Sequence, residues 1–210
     1  EIFARVERDA ARTEPLNPGR VTLLHSGIVY PSERDPTALF QALAGLSRHG
    51  VLSGRTFRLR FRAPAHEDLL HSLAKATGTA DLVEILPPVP YGEALAEMMR
   101  ADGLVVMQAA NCNEQIPAKF YEYLRARRPI LGLADPQGDT GRAMRRAGVE
   151  HLAKLEDPEQ VQQTLGRFVA ALAEGRASPP NEEAVREASR EARVRELVQI
   201  LDTLVDGSRT

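Results

Sequence analysis

The sequence predicts an α/β domain: a doubly wound parallel sheet of about six strands flanked by helices, with a C-terminal helical extension. Two observations carry the prediction. Short apolar runs rich in β-formers alternate with amphipathic helical stretches along most of the 210 residues, the pattern of repeated βαβ units. One run, GLVVM at residues 103–107, is apolar throughout, as a central strand must be when helices cover both sheet faces.

Each element follows in order. Residues 21–25 form the first strand, ended by Ser26 and Gly27, and Asp35 with Pro36 starts a helix that places Leu39, Leu43 and Leu46 on one face. Residues 57–61 alternate Phe57, Leu59 and Phe61 with Arg58 and Arg60, a strand with one less-buried face, and a helix follows over 65–76. A third strand at 82–86 leads into a loop stiffened by Pro87, Pro88 and Pro90, a helix, and the 103–107 strand. The polar loop 108–117 precedes a helix beginning at Ala118, a strand at 129–133, a short helix at 140–147 and an apolar run near 151–155. Asp157 and Pro158 cap a long helix, and the segment GRASPPNEE is a linker. Residues 182–205 are expected to form one charged helix whose Leu197, Ile200, Leu201 and Leu204 make a stripe for packing on a surface. The expected organisation is a linker or extension over 1–20 with no complete element, a binding domain over 21–175, and a linker with terminal helix over 176–210.

Composition narrows the function. A formal net charge of −2, a pI near 6.3 and basic residues scattered among acids argue against nucleic acid as a partner, which needs clustered Lys and Arg. The single cysteine, Cys112, excludes an intrachain disulfide and a multi-cysteine zinc site and suits a reducing, cytoplasmic compartment. There is no apolar run of about 18 residues and no signal-peptide segment at the start. Because the chain begins at Glu1 rather than Met, it is expected to be cut from a longer protein.

In an open parallel sheet, ligands collect where strands end and helix N-termini offer unpaired N–H groups. The loop after the fourth strand is the most informative. Glu114 and Glu122, with seven residues between them, straddle a helix start at Ile116 and Pro117, and at about 1.5 Å of rise per residue they are too far apart to share a proton. Two separated carboxylates with helix amides between them suit an elongated ligand with hydroxyls at its ends and negative charge in its middle.

Here a resemblance enters. CNEQIPAKFYEYLRARRPILGL resembles the Glu-x7-Glu region of GT-B glycosyltransferases of the group 1 family, in the form Pro-x-Lys-x-x-Glu-Tyr followed by a Pro-Ile strand. LLHSGIVYPSERDPTALFQAL is similar to that family's first strand, glycine loop and helix, and DLVEILPPVPYGEALAEMMRADGLVVM to its base-binding loop and following strand, so residues 20–175 are covered in order. The resemblance implies the Rossmann-like C-terminal domain that binds a nucleotide diphosphate sugar, a retaining transfer with no metal or other cofactor, and no activity without an N-terminal domain. It implies that Glu122 holds the ribose hydroxyls and that Glu114, with the backbone of Gln115 and Ile116, meets the donor sugar or diphosphate. Gly27 lets backbone approach the phosphates, Arg34 and Lys119 offset their charge, and the loop through Val89 borders the base. The implied partners are the donor, a sugar, lipid or small-molecule acceptor, and the missing N-terminal domain, with peripheral membrane association of the full-length protein a further expectation. Two departures stand out: Pro87 replaces a common glycine, and no Gly-Phe-Gly follows Glu114.

Plainer roles exist for the same residues. Glu122 can be a solvated acid pairing with Lys119 or Arg125, Glu114 a surface acid, Gly27 a tight turn and Arg34 an exposed loop charge. His25 fits a hydrogen-bonded structural residue and Cys112 a core filler. A non-catalytic nucleotide or sugar-phosphate binding module, and a receiver-like or flavodoxin-like interaction domain, are the rival functions.

Overall fold

The computed structural model describes residues 2–10 and 14–207. Strands β1 (Val21–Ser26), β2 (Phe57–Arg62), β3 (Val83–Leu86), β4 (Gly103–Met107), β5 (Ile130–Leu133) and β6 (His151–Ala153) form one parallel sheet in the order β3-β2-β1-β4-β5-β6. Helices α2 (Thr37–Arg48), α3 (Glu67–Thr77), α4 (Tyr91–Arg100), α5 (Ala118–Ala126), α6 (Asp139–Arg146) and α7 (Pro158–Ala173) are the crossovers and the closing helix. The doubly wound parallel sheet is as expected, with β1 and β4 at its centre.

Period-two burial along the strands divides the core. Leu23, Val105, Met107, Leu131 and Leu133 face α2, α3 and α7, where Phe40, Leu70 and Phe168 are wholly buried. Their neighbours Leu24, Leu104, Val106 and Ile130 face α4, α5 and α6 and pack with Leu95, Met98, Phe120 and Met144. Gly103 permits this packing, because a Cβ there would meet the Phe168 ring at 2.8 Å. The second face of β2 is not apolar. Arg58, Arg60 and Arg62 project from it, and Glu84 of β3 and Glu97 of α4 cover them: Arg60 Nε donates to Glu84 Oε2 at 2.8 Å and Arg62 Nε to Glu97 Oε2 at 2.8 Å.

The two ends depart from expectation. Ile2–Ala10 forms a helix, α1, in a region expected to hold no element; Phe3 and Val6, one turn apart, bury themselves against the core beneath α4. Residues 1 and 11–13 of the expected 1–20 extension, and 208–210 of the expected 176–210 segment, lie outside the described residues. The C-terminal segment is two helices, α8 (Glu182–Glu187) and α9 (Arg190–Gly207), rather than one. Asn181 caps α8 by accepting from the Ala184 N–H, and the Ser189 hydroxyl accepts from the Ala192 N–H at the start of α9. The stripe of α9 does not pack on the described chain: Leu197, Ile200, Leu201 and Leu204 are 51–66% exposed.

Candidate functional site

β1 and β4 are neighbours whose connections leave in opposite directions, so the loops after their carboxyl ends border a crevice at the topological switch point. Gly27 follows β1 at φ +109°, where a side chain strains the backbone. Its N–H donates to the Arg62 carbonyl at 2.8 Å and is thereby engaged by the end of β2. The chain then turns, with the Arg34 N–H donating to the Tyr30 carbonyl at 2.8 Å. Arg34 lies over the Tyr30 ring, its side chain only 15% exposed, and its buried Nε has no hydrogen-bond partner among the described residues. The acid nearest to it is Glu33, at 3.9 Å.

The loop after β4 is fastened to this turn. The Ala109 N–H donates to the Glu33 carbonyl at 2.7 Å and Asn111 Nδ2 to the Ser32 carbonyl at 2.8 Å. Buried Gln108 donates to the Cys112 and Gln115 carbonyls, and Thr140 Oγ1 also donates to the Gln115 carbonyl. The loop therefore reaches the start of α5 in a fixed path. No described acceptor engages the N–H groups of Ile116, Ala118 or Lys119, the ordinary condition of a helix start.

From the first turn of α5, Lys119 reaches back to the end of β1. Its Nζ lies 2.8 Å from His25 Nε2 and 3.4 Å from where a Cβ on Gly27 would be. His25 is fully buried, and its Nδ1 lies 2.9 Å from the Val105 carbonyl. A carbonyl only accepts, so Nδ1 carries the proton and Nε2 accepts from Lys119. Burial, then the neighbouring Lys119, hold the histidine well below its usual range, so it is neutral. Burial, then the Arg34 charge, bring Lys119 down to about 7 against an opposing pull from Glu122. One turn along, the buried Tyr123 hydroxyl accepts from the Ser26 N–H at 2.9 Å, a second pin between α5 and β1.

Glu122 pairs with neither Lys119 nor Arg125. Its Oε1 accepts from the Tyr91 hydroxyl at 2.8 Å, which ties it to the start of α4 directly after the loop that carries Val89. Gly27, Arg34 and Lys119 thus share one corner, and Glu122 sits on the same helix as Lys119, beside the third loop. Glu114 is exposed, makes no side-chain hydrogen bond or ion pair among the described residues, and stands with Gln115 and Ile116 just before α5. Half-buried Val89 makes no hydrogen bond with the group. His25 is the hydrogen-bonded residue at a strand end that the sequence suggests, but nothing in the sequence pairs it with Lys119, or Glu122 with Tyr91, whose sole signal is its place after the proline loop. Among the described residues no three His, Cys, Asp or Glu side chains gather as a metal site, and no helix is long and apolar enough to cross a membrane. A surface hollow of about 620 Å³ between α2 and α7, lined by Gln41, Arg48 and Glu159 among others, contains none of these residues.

No family model and no curated protein matches the chain. Solved structures do. An alpha,alpha-trehalose 6-phosphate synthase from Burkholderia multivorans superposes with a TM-score of 0.68 at 16% identity over 100% of this chain and 50% of its own. A sucrose-phosphate synthase from Thermosynechococcus elongatus gives 0.66 at 14% identity, over 97% and 49%. A glycosyltransferase from Rickettsia africae gives 0.67 at 12% identity, over 96% and 52%. The chain spans about half the length of these structures and has the Rossmann-like fold found in GT-B glycosyltransferases.

Proposed function

We propose that this domain is the donor-binding part of a glycosyltransferase and takes a nucleotide diphosphate sugar at the switch-point crevice. The supporting observation is the corner formed by Gly27, Arg34 and Lys119: a guanidinium whose acid neighbour Glu33 stands off at 3.9 Å and an amine held by an imidazole, beside a glycine and the amide end of α5. A diphosphate there meets a guanidinium suited to bidentate contact, an amine and helix N–H groups. Glu122 accepts hydrogen bonds from the ribose hydroxyls, the base lies along the loop through Val89, and Glu114 with the Gln115 and Ile116 backbone meets the sugar. As the glycosidic bond breaks, charge grows on the diphosphate; Arg34, Lys119 and the helix amides stabilise it without a metal.

The acceptor site and the N-terminal domain belong to the longer protein in this proposal, and transfer with retention of configuration needs both. A non-catalytic module shares the donor site, and the departure Gln115-Ile116-Pro117, which removes one backbone donor, favours keeping it as the second reading. Product formation by the full-length protein separates the two. Titration calorimetry with UDP-, GDP- and ADP-sugars tests the site. At least one is expected to bind, and Glu122→Ala to weaken it by about tenfold or more, the loss of a charged hydrogen-bond acceptor, with an unchanged unfolding midpoint. Unchanged affinity in that variant contradicts the assignment.

A further inference from the structure

The amine of Lys119 has surroundings unusual for a cation. Its 2.8 Å partner is an imidazole nitrogen rather than a carboxylate, and the other charged neighbour on the strand side is the Arg34 guanidinium. The groups packed around the pair supply little compensation. β2 presents the Phe61 ring to His25, β4 the Val105 carbonyl, and α5 the carboxylate of Glu122, already engaged by Tyr91, and the Tyr123 hydroxyl, engaged by Ser26. Arg34 keeps a buried Nε with no acceptor. Arg34 Nη1 lies 3.5 Å from the Ile28 carbonyl and 3.9 Å from the exposed carboxylate of Glu33, so no carboxylate closes on the corner at hydrogen-bond distance, and the component it lacks is a bound anion.

We propose that His25 is a positioning residue that holds the Lys119 amine beside Gly27, and that an anionic ligand enters this corner together with a proton that Lys119 takes up. The Val105 carbonyl fixes the His25 tautomer, so Nε2 always faces Lys119 as an acceptor. Without an anion, a full charge on Lys119 is opposed by burial and by Arg34; a phosphate oxygen in the corner removes that opposition and favours the charged amine. The burial-lowered titration of Lys119, to about 7, is in keeping with this. By linkage, anion affinity is highest where the unliganded amine is already protonated and falls as pH rises through that range, by up to about tenfold per unit.

The inference rests on the donor-site reading, but sulfate tests it independently, because sulfate stays a dianion from about pH 6 to pH 9 and any pH dependence belongs to the protein. Sulfate affinity, measured by calorimetry against chloride at matched ionic strength, is expected to fall at least about tenfold between pH 6 and pH 8.5. Lys119→Met is expected to flatten the dependence at low affinity. His25→Leu is expected to weaken binding, and His25→Gln to restore it, since an amide can donate to the Val105 carbonyl and accept from Lys119. Wild-type affinity that is equal at both pH values, or His25→Gln binding no better than a folded His25→Leu, overturns the proposal. A nucleotide sugar that binds with no pH dependence overturns it while the donor reading stands; pH-dependent sulfate binding with no response to any nucleotide sugar does the reverse.

Discussion

Gly27 and Tyr91 show how single residues shape the crevice. At φ +109°, Gly27→Ala is expected to cost about 1–3 kcal/mol, read as a lower urea midpoint, and to weaken anion binding by crowding Lys119 at 3.4 Å. Tyr91→Phe removes the donor that holds Glu122 Oε1 and is expected to reduce nucleotide-sugar affinity by about threefold, on the scale of one partly exposed hydrogen bond. Legibility in the sequence divides along the same line. Glu122 and Lys119 lie three positions apart on one helix, and a motif could nominate them. Their partners could not be nominated, because Tyr91 and His25 come from other elements, 31 and 94 positions away, and only the fold brings them near.

At the scale of elements, β2 shows what alternation conveys and what it omits. Phe57, Leu59 and Phe61 against Arg58 and Arg60 do mark one buried face and one different face, as the sequence suggested. The pattern does not say that the second face is covered by acids from two other elements. Arg62 is 8% exposed and bound through two nitrogens to Glu97, while its Nη1 donates to the Pro87 carbonyl and so holds the third loop. Removing the acid strands a buried guanidinium, so Glu97→Ala is expected to cost about 3 kcal/mol in denaturant unfolding. The helix start at Asp157 and Pro158 was fully legible because its determinants are local: the Asp157 side chain accepts from the Gln160 N–H at 3.0 Å. α1 was not, because its stability comes from Phe3 and Val6 meeting a core that forms far along the chain.

For the whole molecule, two buried bases make stability depend on pH. His25 and Lys119 both titrate below their unfolded values, so the unfolded chain binds more protons and stability rises with pH. The histidine penalty is relieved as pH rises towards about 6.5, and the lysine penalty, full below about 7, is relieved between there and about 10. Urea unfolding without phosphate or sulfate is expected to show a rising stability above pH 7, with a slope near 1 kcal/mol per unit at most about 1.4, and Lys119→Met is expected to remove that slope. The parallel, doubly wound sheet and the central place of residues 103–107 were legible, since they follow from alternating elements and an all-apolar strand; the order of the strands and the exposed stripe of α9 were not, since periodicity shows an apolar face and not what lies against it. The most direct test of the donor crevice is an amide NMR titration with the best-binding nucleotide sugar. The largest shifts are expected at Gly27, Ile116, Ala118, Lys119 and Glu122; shifts concentrated between α2 and α7, with those five amides unmoved, contradict a donor site at the switch point.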